Sequence, residues 1–200
     1  MQLTPLHSVP KATTEQPTMA LLEAVDTAAL GDSVRVRHAA WLRDALLGFK
    51  RERRTFDVTS LVEAALDVAT TMSKPSTRIV RSYFRGQPAL AEGDWSELSL
   101  GVLQVLENAI GAANERAAGH VLVSIFPSIT GGAYIEINDN GAGMSPEALE
   151  QAFAPFYTTR GPGHAGLGLS IARAMIRSSG GSLALDSSKG IGTVAMISLR

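Results

Sequence analysis

From Phe56 to the C-terminus the apolar residues switch repeatedly between helical and strand period, and that alternation constrains the fold more than any other feature of the 200 residues. The spacing predicts a helix over 58–70, opened by Asp57 or Thr59, and then a strand over 77–84. A long helix is expected over 98–118, where apolar residues recur every three to four positions. Strands over 121–126 and 133–138 join through Ser128-Ile129-Thr130-Gly131-Gly132 as a hairpin. Ser145-Pro146-Glu147 opens a short helix, with serine as the cap and proline at the first helical position. A helix over 167–179 stops at Gly180-Gly181, and strands over 182–186 and 193–199 flank a turn at Lys189-Gly190. Paired strands with helices gathered between them predict an α/β fold, a two-layer α/β sandwich with a mixed sheet covered by helices on one face.

The first quarter of the chain reads differently. Residues 1–17 hold Pro5, Pro10 and Pro17 among polar residues and read as an irregular segment. Residues 18–55 predict a helical hairpin, with helices over 19–30 and 34–53 around Gly31-Asp32-Ser33. Leu42, Ala45, Leu46 and Phe49 form an apolar face that a lone hairpin cannot bury, so a homodimer through the hairpin, or docking on the domain at 56–200, is expected. Lys50-Arg51-Glu52-Arg53-Arg54 ends the second helix, where the helix dipole favours cations. With a net charge of −1 the chain offers no general electrostatic reason to bind nucleic acid. At 45% hydrophobic and 18% charged residues it has the composition of a packed domain. The absence of cysteine excludes disulfides, cysteine-ligated zinc and thiol catalysis, and suits a cytoplasmic location. No apolar run approaches the roughly 20 residues of a membrane span.

The residues that carry chemistry lie in order after one amphipathic helix. In Gln104-Val105-Leu106-Glu107-Asn108-Ala109, Gln104 and Asn108 are i, i+4 neighbours on one face. Asn108 is either a buried amide satisfied by backbone or an oxygen ligand for Mg²⁺, which takes few protein oxygens. Asp139-Asn140-Gly141-Ala142-Gly143-Met144 follows a strand directly. It reads as a turn, or as a carboxylate accepting from an exocyclic amine beside backbone that approaches a flat base closely. Gly161-Pro162-Gly163-His164-Ala165-Gly166-Leu167-Gly168-Leu169 runs into a helix whose free N–H groups suit phosphate. It lacks the GK[ST] of a Walker A loop. Gly190-Ile191-Gly192-Thr193 precedes the last strand and is by itself only a turn.

Together these motifs resemble the GHKL superfamily of ATPases and, within it, the catalytic domain of histidine kinases with its Bergerat ATP-binding fold. Gly93-Asp94 through Asn108-Ala109 is similar to the N box and its lead-in, and residues 139–144 to the first glycine box. Phe153-Ala154-Pro155-Phe156-Tyr157-Thr158-Thr159-Arg160 resembles the F box. Gly166-Leu167-Gly168-Leu169 resembles the second glycine box, and Gly192-Thr193 the last. The resemblance implies ATP and Mg²⁺ as ligands. It puts Asn108 on the metal, Asp139 on the adenine amine, and Gly141 and Gly143 along the base. Thr159 and Arg160 would border the lid, the backbone of Gly166, Leu167, Gly168 and Leu169 would cradle phosphates, and Thr193 would lie beneath the adenine. Gln104, Asn108 and Arg160 form the candidate catalytic set. The short lid is similar to that of nitrogen-regulator-class kinases. Gln104 stands where hydrolysing relatives of the superfamily carry a glutamate base, and an amide takes no proton, which favours phosphoryl transfer over hydrolysis.

One part of the family pattern is missing. No HExxxPL-like H box occurs, and Ala12 stands where the phosphoacceptor histidine would align. His7 lies between prolines, His38 has no acid after it, and His120 is read as ending a helix. Four readings follow: a kinase acting in trans on another protein's histidine, a pseudokinase or phosphotransfer adaptor, a piece of a longer kinase, and a serine kinase resembling anti-sigma factors. A response regulator or a histidine-bearing phosphotransfer protein is the expected partner in two-component signalling.

Overall fold

The alternation along the chain becomes two packed layers. The computed structural model describes residues 52–200 apart from Arg85, Pro162 and Gly163. The irregular segment at 1–17, the hairpin up to Arg51, and Ala12, His7 and His38 lie outside the described residues. The elements are β1 (Arg53–Asp57), α1 (Val58–Ala69), β2 (Arg78–Tyr83), β3 (Leu90–Asp94), α2 (Trp95–Ala113), β4 (His120–Pro127), β5 (Ala133–Asp139), α3 (Pro146–Gln151), α4 (Gly168–Ser178), β6 (Ser182–Ser188) and β7 (Gly192–Leu199), with a 3-10 turn at Thr70–Met72. Five strands form a mixed sheet in the order β2-β4-β5-β7-β6. β2 runs parallel to β4, and the other neighbours are antiparallel.

Period-2 alternation divides that sheet. Val121, Val123, Ile125, Ile135, Ile137, Ala195 and Ile197 are buried, while Phe126, Tyr134 and Met196 on the other face are exposed. The helices cover the buried face. From α2, Leu98, Val102, Val105, Leu106 and Ile110 enter the core, each burial worth about 1.5–3 kcal/mol relative to exposure. α4 adds Ile171, Ala172, Met175 and Ile176, and α1 adds Leu61, Val62 and Leu66.

The sequence pattern does not predict β1 and β3. They pair antiparallel, Arg53 opposite Asp94 and Asp57 opposite Leu90, as a separate two-stranded sheet. Arg53 and Arg54 therefore lie in a strand rather than at the end of a helix running to Arg53. A Phe56–Trp95 edge-to-face contact with centroids 5.4 Å apart, and the Arg54 guanidinium 5.2 Å from the Trp95 ring centroid, hold β1 on the start of α2. Neither strand shows in the pattern, because each is five residues long and lacks a clean alternation, β1 opening on three exposed residues and β3 ending on two buried ones.

α2 begins at Trp95, three residues before the expected start, because Asp94 caps it. Asp94 Oδ1 accepts from the Glu97 N–H at 2.9 Å, and Oδ2 accepts from the Glu52 N–H at 2.6 Å. The helix ends at Ala113 rather than 118. There Asn114 Oδ1 accepts from Thr77 Oγ1 at 2.7 Å and from the Lys74 N–H at 3.0 Å, which turns the chain toward β4. His120 consequently opens β4 and does not end a helix. At the other end of the layer the buried Glu97 carboxylate accepts from Ser178 Oγ at 2.5 Å and Ser179 Oγ at 3.2 Å, tying α2 to the end of α4.

Asp94→Ala removes a helix cap and leaves the Glu52 N–H without that acceptor. It is expected to lower stability by about 1–3 kcal/mol, read as an earlier urea midpoint with an unchanged slope. Asp94→Asn, which still caps, should lose less.

Candidate functional site

One strip of α2 stays out of the core. Gln104, Asn108, Gly111 and Ala112 follow one another at helical spacing along it; Gln104 faces the start of α4, Asn108 and Gly111 meet Arg160, and Ala112 meets Gly141. A Cβ on Gly168, the first residue of α4, would stand 3.2 Å from Gln104 Oε1, so Gln104 faces the start of that helix. Gln104 Nε2 donates to Glu107 Oε2 at 2.8 Å. Burial pushes the Glu107 carboxyl above its ordinary value, and the Gln104 amide opposes that rise. The half-buried Asn108 side chain makes no hydrogen bond among the described residues, whereas its backbone carbonyl accepts from Arg160 Nη2 at 2.5 Å. The guanidinium lies over Gly111, where the absence of a side chain gives it room. Burial lowers the Arg160 pKa, the charges of Glu115 and Asp139 work against that, and the group stays a cation at neutral pH.

Asp139 closes β5 at the same end of the sheet, paired with Val121 on one side and Thr193 on the other. It is 5% exposed, and its Oδ1 accepts from the Gly141 N–H at 2.7 Å. Burial pushes the carboxyl above its ordinary value. The N–H groups of Gly141 and Thr193 and the charges of Arg160 and His120 pull it back. The neighbouring Asn140 fastens the chain, since its Oδ1 accepts from the His120 N–H at 2.8 Å and its Nδ2 donates to the Ala118 carbonyl at 2.9 Å.

The first glycine stretch and the last turn form one unit. Gly143 has φ +63°, and a side chain there would run into the Ser188 carbonyl. The Gly190 N–H donates to the Ala142 carbonyl at 2.6 Å. Ser187 Oγ accepts from the Met144 N–H, donates to the Gly192 carbonyl, and lies 2.9 Å from Thr193 Oγ1. The F box closes the other side. Gly166, at φ +69°, packs on the Phe156 backbone, where a Cβ would come within 2.6 Å of the carbonyl carbon. Phe156 is buried and itself has φ +64°, the only such non-glycine among the described residues. Arg173 of α4 lies 4.5 Å from the Phe153 ring centroid, on the same segment.

The fold thus brings Gln104, Asn108, Asp139, Gly141, Gly143, Arg160, Gly168 and Thr193 to one end of the sheet. Leu167 is buried and precedes α4 without capping it by a side chain, which leaves first-turn N–H groups free of side-chain partners. Leu169 is half-buried. Thr159 is exposed and outside the cluster, and its neighbour Thr158 instead accepts from the Arg160 N–H at 3.1 Å. His164 is exposed, its Nδ1 3.3 Å from the Gly161 carbonyl. Two residues of this region carry no motif signal. Ser187 links the two glycine turns, and Arg116 Nη2 donates to the carbonyls of Gly141 and Gly190. Two open hollows of ≈ 470 and ≈ 460 Å³ lie at the far end, against the β4–β5 hairpin and away from Asp139 and Asn108, the first lined in part by Glu92 and Arg200.

An amide without a hydrogen-bond partner among the described residues, a buried carboxylate beside close-approaching backbone, and an uncapped helix start thus lie together at one end of a two-layer α/β sandwich. Residues 93–200 match the model of the histidine kinase-, DNA gyrase B- and HSP90-like ATPases, and the chain belongs to that family. Its curated relatives include the sensor histidine kinase ZraS of Salmonella typhi, 33% identical over 106 residues, which are 53% of this chain and 22% of ZraS. The cell-division control histidine kinase PdhS of Brucella anthropi is 28% identical over 159 residues, 71% of this chain and 15% of PdhS. The chain spans less than a third of the length of these relatives. Among solved structures, the mycobacterial sensor histidine kinase MprB superposes with a TM-score of 0.64 at 26% identity, covering 74% of this chain and 97% of that one. Full-length ShkA in complex with AMPPNP shares the fold at a TM-score of 0.64 and 20% identity, over 94% of this chain and 46% of that one. No described helix is long and apolar enough to cross a membrane.

Asp139 yields a pH prediction. Its folded pKa is raised above an unfolded value near about 4, so the native state holds the proton to higher pH than the unfolded chain does. The ionised carboxylate then costs stability, and increasingly so as pH rises through the folded pKa. Asp139→Asn is expected to melt no lower than wild type at pH 7. That difference should close as pH falls toward about 4, where both side chains are neutral. A large loss of thermal stability at pH 7 would contradict this assignment.

Proposed function

We propose that this chain is a Mg·ATP-binding catalytic unit of two-component signalling that transfers the γ-phosphoryl of ATP to a histidine on another polypeptide. The observation behind the proposal is the presence at one end of the sheet of both the buried Asp139 carboxylate and an Asn108 amide that has no hydrogen-bond partner among the described residues. No group of three His, Cys, Asp or Glu side chains placed to hold a metal occurs among the described residues. A single amide oxygen suits an ion that fills the rest of its octahedron with phosphate and water.

Bound Mg·ATP supplies the transferable phosphoryl and the cation that spreads its charge. The residues of the chain bind and orient. Asp139 accepts from the exocyclic amine of adenine, Gly141 and Gly143 let backbone approach the ring, and Thr193 lies beneath it. Asn108 offers its oxygen to Mg²⁺. The first-turn N–H groups around Gly166, Leu167, Gly168 and Leu169 cradle phosphate. Arg160, held on the Asn108 carbonyl, would be a cation available to the phosphates, and Thr159 would border the lid beside it. Gln104 faces this site as an amide, which removes no proton from water, so transfer is favoured over hydrolysis. The partner is a response regulator or a histidine-bearing phosphotransfer protein, met in the cytoplasm by a homodimer formed through residues 18–55.

The absent H box supports a second reading, a pseudokinase or phosphotransfer adaptor that binds nucleotide and docks a response regulator without catalysis. Calorimetric titration with ATP and Mg²⁺ tests what the two readings share. Asp139→Asn should abolish saturable binding, and Asn108→Ala should weaken it about tenfold or more, only when Mg²⁺ is present. No binding by wild type at millimolar ATP would remove both readings. Labelled ATP then separates them. Acid-labile phosphate on a histidine-bearing partner supports transfer, and nucleotide-dependent docking without label supports the adaptor.

A further inference from the structure

Arg116 belongs to none of the motifs. It lies in the segment between α2 and β4, exposed to solvent, yet its Nη2 donates to two carbonyls from distant parts of the chain. One is Gly141 of the first glycine stretch at 3.0 Å, and the other is Gly190 of the last turn at 2.6 Å. Those segments already touch. The Gly190 N–H donates to the Ala142 carbonyl at 2.6 Å, and the Ser188 carbonyl fits against Gly143 because no side chain intervenes. Both lie beside Asp139, which pairs with Thr193 immediately after the turn and binds the Gly141 N–H. An arginine capping a pair of turn carbonyls is ordinarily a stabilising detail. Here the two turns it joins also hold Asp139, one through the Gly141 N–H on Oδ1 and the other through strand pairing with Thr193, so the clasp fixes how the buried carboxylate is presented.

We propose that Arg116 is a positioning residue that clasps the first glycine stretch to the last turn and thereby sets nucleobase selectivity. This rests on the reading of Asp139 as the adenine contact. A single nitrogen carrying two hydrogens satisfies two carbonyl acceptors at once, so the clasp holds both turns with one cation. Adenine presents an amine to Asp139, and guanine presents a carbonyl oxygen that the carboxylate repels. The discrimination is sharp only while the two turns hold the Asp139 carboxylate and Thr193 in one register. Loosened turns let the carboxylate shift away from the purine edge, which costs ATP affinity and relieves the repulsion of GTP.

Arg116→Met keeps the stem of the side chain and removes its donors, and Arg116→Lys restores a cation with three donors on a slightly shorter side chain. Hydrogen exchange of the nucleotide-free protein reads the clasp directly, and the Gly190 amide in Arg116→Met should exchange about tenfold faster or more. Calorimetry should show ATP binding weakened about five- to tenfold, within the range for an exposed charged hydrogen bond, and the ATP-to-GTP preference reduced by about threefold or more. Arg116→Lys should return both quantities to within about twofold of wild type. A role confined to packing would leave Arg116→Met unchanged in exchange and in preference, and that result overturns the clasp while wild type still binds ATP. If wild type binds neither nucleotide, the Asp139 reading falls and selectivity by Arg116 falls with it. Faster Gly190 exchange with an unaltered ATP-to-GTP ratio likewise rejects selectivity.

Discussion

The depth at which α2 is buried governs the rest of this domain. The helix lies on the sheet between α1 and α4, and at Gly101 α4 approaches it closely. A Cβ on Gly101 would stand 3.0 Å from Ile176 Cγ1 and 3.4 Å from Met175 Cβ, tighter than side chains ordinarily pack. That approach lets α2 present Leu98, Val102, Leu106 and Ile110 to the core and keep only one strip free. The strip carries Gln104, Asn108, Gly111 and Ala112. The buried Glu97 carboxylate, held by Ser178 and Ser179, fixes the helix pair at the opposite end.

Function and stability pull apart at Asp139. A carboxylate 5% exposed is an expensive group to bury, and two backbone N–H groups with a nearby cation only partly offset the desolvation. The fold tolerates it because the neighbouring backbone is over-determined. Ser187, the Gly190 N–H and Arg116 all tie the glycine turns that surround the carboxylate. Phe156, buried at φ +64°, is a second locally unfavourable feature, placed where the F box turns toward Gly166.

Much of this is legible in the chain because it is local. The five strands of the main sheet follow from period-2 alternation, and Asp139, Asn108 and the glycines stand in short motifs at the ends of predicted elements. What misleads is also local. Arg53 and Arg54 look like the last turn of a basic helix, yet Trp95 and Asp94 draw them into a strand. Helix propensity carries on past Ala113 into Asn114-Glu115-Arg116-Ala117-Ala118, yet Thr77 and Lys74 capture Asn114 and end the helix. Thr159 stands beside Arg160 in the same motif, but only Arg160 reaches α2.

The sequence by itself determined the class of fold, the order of the elements and the family-type residues. Hydrophobic period, caps and glycine positions are written in residues a few places apart. Only the tertiary structure decided which groups share a surface. Asp139 and Thr193 are 54 positions apart and meet by strand register. Asn108 and Arg160 meet because the F-box segment folds back across α2, and Arg116 reaches Gly190 only after β4, β5, β6 and β7 have brought that turn home. Contacts of this kind leave no periodic trace, because they depend on how layers pack rather than on how the chain alternates.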